Sequence, residues 1–139
     1  MDKTFKIVLL LLAISLIAFL VMGCSKQAAK TDSDKSGGYQ KITASAVKSR
    51  LDKGEQLIIV DVRTKEEYDD GHIPKSLLIP YDEIEVKAAS LLPDKNAAII
   101  VYCRTGRRSE IAAKSLLKLG YTNVADMGAI SDWKYGLEK

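Results

Sequence analysis

The chain has 139 residues and a formal net charge of +3, with both signs interspersed, which gives no argument for nucleic-acid binding. One histidine and two cysteines cannot supply the usual ligand set of a metal centre, and nothing in the sequence calls for a cofactor. The basic cluster is local to a single loop, Arg104 to Arg108.

At the start of the chain, Lys3 and Lys6 precede an unbroken apolar run, IVLLLLAISLIAFLVM, that ends at Gly23-Cys24. A positive n-region, an apolar h-region and a small residue before the break describe a secretory signal over residues 1–23. The run is slightly short for a bilayer-spanning helix. Val21-Met22-Gly23-Cys24 resembles the lipobox of bacterial lipoproteins, with Met22 departing from the smaller residue usual there. The resemblance implies cleavage before Cys24 and lipid on that cysteine. The globular part would then sit at the extracytoplasmic face of a bacterial membrane. Removing Lys3, Lys6 and Asp2 takes the charge from +3 to +2. With Cys24 lipidated, Cys103 is the sole thiol and no intramolecular disulfide can form. Residues 24–38 are polar, small and charged, and read as a flexible tether spanning roughly 20 Å on average.

Residues 39–139 are enough for one core and one domain. Thr43 is placed to cap a helix running to about Leu51 and closed by Gly54. Leu57-Ile58-Ile59-Val60 is an apolar run fit for a central strand, ending at Asp61-Val62-Arg63. Thr64-Lys65-Glu66-Glu67 is a capping box that opens a short helix, and Gly71 ends it. His72-Ile73-Pro74 reads as a turn, and Leu77-Leu78-Ile79 as a strand stopped by Pro80. Residues 82–92, with Ile84, Val86, Leu91 and Leu92, read as a helix. Ile99, Ile100 and Val101 form a buried strand, and Ile111, Ala112, Ser115, Leu116 and Leu119 recur at helical spacing up to Gly120. Val124-Ala125 suggests a last short strand, and residues 129–135 a short terminal helix carrying Trp133. Strands alternating with helices predict an α/β fold, a mostly parallel central sheet with helices on both faces.

The chemistry concentrates in Cys103-Arg104-Thr105-Gly106-Arg107-Arg108, between the buried strand and its helix. A strand, a tight loop and a helix N-terminus make a concavity lined with backbone N–H groups, which favours negative charge. A cysteine placed there, beside three arginines, is expected to hold its thiolate below the pKa of a free thiol. The arginines give an incoming anion something to pair with. In an oxidising compartment a solitary cysteine is unusual unless its chemistry is wanted.

Ordered motifs extend the pattern: Asp61-Val62-Arg63, Glu67-Tyr68, Gly71-His72-Ile73-Pro74, Ile79-Pro80, the run from Val101 through Cys103 to Ser109, then Gly128 and Trp133. On these motifs the chain resembles the rhodanese-like domain over residues 39–135. The resemblance implies a sulfurtransferase in which Cys103 takes sulfane sulfur from a small sulfur-containing anion such as thiosulfate. The sulfur is held as a persulfide and passed to cyanide or a thiol. Independently, the loop N–H groups and helix dipole would stabilise the anionic persulfide without a general base. Gly106 lets the backbone curl towards the sulfur. Arg104 and Arg108 are the first candidates for the donor's oxyanion, with Arg107, Thr105 and Gly106 completing the binding loop. His72 reads as fold stabilisation, Asp61 and Arg63 as an ion pair fixing the loop, and Trp133 as core cover. Two departures from the family pattern stand out: Lys75 where a glycine is common, and Ala129 where a second glycine often follows Gly128. Two rivals are weighed. Cysteine-based phosphatases and arsenate reductases use Cys-x5-Arg, whereas Cys103 to Arg108 is Cys-x4-Arg, one residue too short to encircle a tetrahedral phosphate. The other rival is a non-catalytic sulfur carrier or binding module.

Overall fold

A computed structural model describes residues 38–139. The secretory segment, Cys24 and the tether up to residue 37 lie outside the described residues. No helix among the described residues is long and apolar enough to cross a membrane. The elements in chain order are β1 (Gln40–Lys41), α1 (Ala44–Asp52), β2 (Leu57–Asp61), α2 (Lys65–Asp70) and β3 (Leu77–Leu78). They continue with α3 (Ile84–Leu91), β4 (Ala98–Cys103), α4 (Arg107–Lys118), β5 (Val124–Ala129) and a 3-10 turn at Ile130–Asp132. The five strands form one sheet in the order β1-β5-β4-β2-β3, with every pairing parallel.

The local signals act as expected at the helix starts. Thr43 accepts from the Ala46 N–H at 3.2 Å, and the Thr64–Glu67 capping box forms in both directions. Strand alternation then sorts the core. On β4, Ile99, Val101 and Cys103 face one side, where they meet Ile84 and Ala88 of α3 and Ala112, Ala113 and Leu116 of α4. Ile100 and Tyr102 face the other side, with Ala44 and Val47 of α1 and with Trp133. Helices therefore cover both faces, as parallel sheets require.

Two elements differ from the expectation. The terminal helix expected over residues 129–135 is absent: β5 runs on to Ala129, and only one 3-10 turn follows. The cause is a register shift between Val101 and Tyr102, whose β5 partners are Asp126 and Gly128. Gly128 takes a φ of +84°, which lets β5 absorb an extra residue and keep pairing. The second change is β1, whose two residues carry no periodic signal and pair only with β5.

Lys75 sits in the left-handed region at φ +62°, alone among the described non-glycine residues. That explains why a glycine suits this place. Its N–H donates to Glu138 Oε1 at 2.8 Å, a bond any residue keeps. The left-handed backbone costs a side-chain-bearing residue about 1–2 kcal/mol, partly offset by the greater entropy glycine loses on folding. Lys75→Gly is expected to raise the urea midpoint, by about 0.5 kcal/mol in stability; a lower midpoint would contradict the strain.

Candidate active site

β2 and β4 are neighbours, with Asp61 opposite Tyr102, so the segments leaving their carboxyl ends converge on one edge of the sheet. Beneath that edge lies a buried polar network centred on Asp61. The Tyr102 hydroxyl donates to Asp61 Oδ2 at 2.6 Å, and Arg63 grips the same carboxylate through its backbone N–H (2.9 Å), Nε (2.9 and 3.0 Å) and Nη2 (2.6 Å). The expected Asp61–Arg63 ion pair is therefore present, and Arg63 Nη2 also donates to the Gly71 carbonyl at 2.7 Å. Tyr102 oxygen in turn accepts from the Ile73 N–H at 3.1 Å and lies 3.2 Å from Ser76 Oγ. Burial, then the charge of Asp61, pushes the Tyr102 phenol well above its usual range, so it stays a donor.

His72 belongs to the same turn and faces structure. It stacks on Tyr68 with ring centroids 3.7 Å apart, its Nδ1 lies 2.9 Å from the Tyr68 carbonyl, and its backbone pairs with Glu138.

Cys103 ends β4 and is fully buried. The chain then turns through Arg104 and Thr105 to Gly106, which takes a φ of +97° as the N-cap of α4. That left-handed turn aims the Gly106 N–H at Cys103 Sγ, 3.0 Å away. Ser109 Oγ lies 3.7 Å from the sulfur and donates to the Gly106 carbonyl at 2.9 Å. Burial pushes the thiol up. On ionisation the Ser109 hydroxyl can turn its proton from the Gly106 carbonyl to the sulfur; together with the N–H groups of Ser109, Thr105 and Gly106 it outweighs burial, and the thiol lies below its ordinary 9.0. Arg107 and Arg108, expected in the loop, form the first turn of α4.

Above the loop opens a cavity of about 560 Å³ lined by Arg63, Thr64, Glu67, Pro80, Tyr81, Asp82, Arg104, Thr105, Arg107 and Arg108. All three loop arginines and Thr105 thus share one wall, while Cys103 and Gly106 lie outside it. Arg108 makes a two-point ion pair with Glu67, Nη1–Oε2 2.6 Å and Nη2–Oε1 2.8 Å. In the sequence Glu67 belongs to a capping box and to the Glu67-Tyr68 motif, and Ser109 closes the loop motif; neither signal reports the place of its side chain at the site. Glu67 and Arg108 are 41 positions apart, and no local pattern joins them. Among the described residues no cluster of histidine, cysteine and carboxylate could hold a metal ion.

Thiolate reactivity gives a direct check. The rate of Cys103 alkylation by iodoacetamide is expected to reach half its maximum below pH 9.0, and Ser109→Ala should move that midpoint upward. An unchanged midpoint in Ser109→Ala would remove the hydroxyl from the account.

Residues 43–135 match the family of rhodanese-like domains. The chain is 37% identical over 102 residues to YrkF of Bacillus subtilis (strain 168), whose name calls it a sulfur carrier; the match covers 73% of this chain and 54% of YrkF. It thus spans about half the length of that relative. It is 38% identical over 73 residues to the thiosulfate sulfurtransferase PspE of Escherichia coli (strain K12), covering 52% of this chain and 70% of PspE. A solved rhodanese with anions from E. coli superposes with a TM-score of 0.58 at 34% identity, covering 60% of this chain and 99% of that one.

Proposed function

The chain belongs to the rhodanese-like family, a family of sulfurtransferases, and from that premise we propose that Cys103 carries sulfane sulfur from a small anionic donor to cyanide or a thiol. The observation that carries this reading is the sulfur's setting: a thiol at the mouth of a helix N-terminus, with the Gly106 N–H 3.0 Å from Sγ. The Cys103 thiolate attacks the outer sulfur of a donor such as thiosulfate. An Sγ–S bond forms, the donor's S–S bond breaks, and sulfite leaves with the bonding pair. The persulfide keeps the negative charge among the N–H groups that held the thiolate. Cyanide or a thiolate then attacks the outer sulfur, leaves as thiocyanate or a new persulfide, and returns Cys103 as thiolate. No proton moves in either step, so no base is needed. Arg104, Arg107 and Arg108 supply the positive wall for the donor's oxyanion, and Thr105 and Gly106 shape the loop.

Burial of Cys103 supports a second reading, a sulfur carrier that exchanges with a partner thiol and turns over small donors slowly. Phosphatase chemistry is disfavoured by the Cys-x4-Arg interval. Purified protein exposed to thiosulfate is expected to gain one sulfur atom in mass. Dithiothreitol should reverse the gain, and Cys103→Ser should show none; absence of an adduct on the intact protein would sink both readings. Steady-state cyanide turnover separates transferase from carrier.

Placement follows from the first residues alone. Residues 1–23 act as a lipoprotein signal, Cys24 carries lipid, residues 24–38 tether, and residues 39–139 work at the extracytoplasmic face of a bacterial membrane. Expressed in a bacterium, the chain is expected to incorporate labelled palmitate and to begin at Cys24, and Cys24→Ala to incorporate none. A mature chain beginning at Met1 would overturn this placement.

A further inference from the structure

The cavity wall carries four guanidinium groups, but they are not equally available. Arg63 is committed to Asp61 at 2.6 Å, with both side chains almost fully buried. Arg108 is committed to Glu67 through two parallel hydrogen bonds, the strongest geometry an arginine offers a carboxylate. Arg104 and Arg107 have no ion-pair or hydrogen-bond partner among the described residues. The Glu67 carboxylate that pairs Arg108 is also held from its other side. Its Oε2 accepts the Thr64 N–H at 3.1 Å, and its own N–H donates to Thr64 Oγ1 at 3.3 Å. The carboxylate is thus a fixed part of the α2 N-terminus that also faces the cavity. Asp82 adds a second carboxylate to the same wall.

An anion entering this cavity meets two unpaired arginines, and it also meets Glu67 in the same lining. Arg108 keeps N–H groups outside that pair and also acts on Cys103, so its charge reaches the site offset by the Glu67 carboxylate. The repulsion from a fixed carboxylate scales with the charge of the incoming group. We propose that Glu67 is a specificity-determining residue: by pairing Arg108 on the cavity wall and offsetting its charge, it lowers the preference for doubly charged sulfur donors over singly charged ones. The inference rests on reading Cys103 as the sulfur-accepting nucleophile. Thiosulfate remains a usable donor, and Glu67 reduces the advantage of its second charge. Its charge-reduced relative methanethiosulfonate delivers the same outer sulfur, releasing methanesulfinate with the bonding pair in place of sulfite. The Arg108 pairing keeps the Glu67 carboxyl at about 2, so the discriminating charge is present at neutral pH.

The test compares the full chain with Glu67→Gln. Glutamine serves the capping box as glutamate does, so α2 keeps its start while the charge goes. The readout is the ratio of kcat/KM for thiosulfate to that for methanethiosulfonate, in which any change in the active fraction cancels. Glu67→Gln is expected to raise this ratio about fivefold or more, the scale of one unit charge acting on one extra unit charge across a solvent-open cavity. A ratio that falls, or changes less than twofold, overturns the role of Glu67. If the wild-type protein accepts sulfur from neither donor, the sulfurtransferase reading fails instead, and Glu67 is judged without turnover. The concentration of sulfate that half-protects Cys103 from iodoacetamide, relative to that of methanesulfonate, should then fall in Glu67→Gln; no fall overturns the inference.

Discussion

Everything around the cysteine depends on one buried carboxylate. Asp61 is fully inaccessible, and a charge so placed is tolerable only if each of its oxygens is matched. Here both are. Arg63 supplies the counter-charge and the Tyr102 hydroxyl a short neutral bond, and each passes a further link onward, Arg63 to the Gly71 carbonyl and Tyr102 to Ile73 and Ser76. The end of β2, the end of β4 and the Gly71–Ser76 turn are thereby fastened at a single point. Loss of Arg63 would leave an uncompensated charge in the interior, a cost of several kcal/mol set against a total stability of about 5–15 kcal/mol, while loss of the Tyr102 hydroxyl would leave one oxygen short of a hydrogen bond.

The anchor matters to the chemistry through an offset of one residue. Tyr102 and Cys103 are adjacent on β4, so their side chains leave opposite faces of the sheet. Tyr102 turns into the Asp61 network, and Cys103 turns under the loop that opens α4. Fixing the phenol therefore fixes the sulfur. From the other side, α2 begins four positions after Asp61 and brings Glu67 to Arg108, so the same strand end that locks β4 also positions the cavity wall. The loop is held at both ends before any donor arrives, the condition for electrostatic stabilisation without reorganisation.

What could be read in the sequence follows from how local each cause is. The runs feeding β2 and β4, the Thr43 cap, the Thr64–Glu67 capping box, the stripe of α4 and the turn at Gly106 all carry their reasons within a few residues, and they formed where expected. The Asp61–Arg63 pair was legible because its partners are two positions apart. By contrast β1 exists only because β5 lies beside it, and β5 runs through Gly128 only because β4 accepts a shifted register. The Arg108–Glu67 pair spans 41 positions, so Arg108 read as a free loop cation and Glu67 as a cap. Burial of Cys103 was equally hidden. Its exposure is decided by the fold of Arg104 to Gly106 above it, and loop conformation leaves no periodic trace.

The placement of β1 bears on how the domain would carry a mechanical load. Any pull on the segment before Gly38 enters the sheet at a two-residue edge strand, held by the β5 ladder, the Ile42 N–H to Asp126 carbonyl bond and the Lys41–Asp126 ion pair. β1 is one of the two two-residue edge strands of the sheet, and β5 stands between it and β4. Tension would peel β1 away while the strand bearing Cys103 stayed clamped between two neighbours. The sheet order makes the N-terminal edge a mechanical fuse, and a domain held by its N-terminus could yield there without disturbing its sulfur.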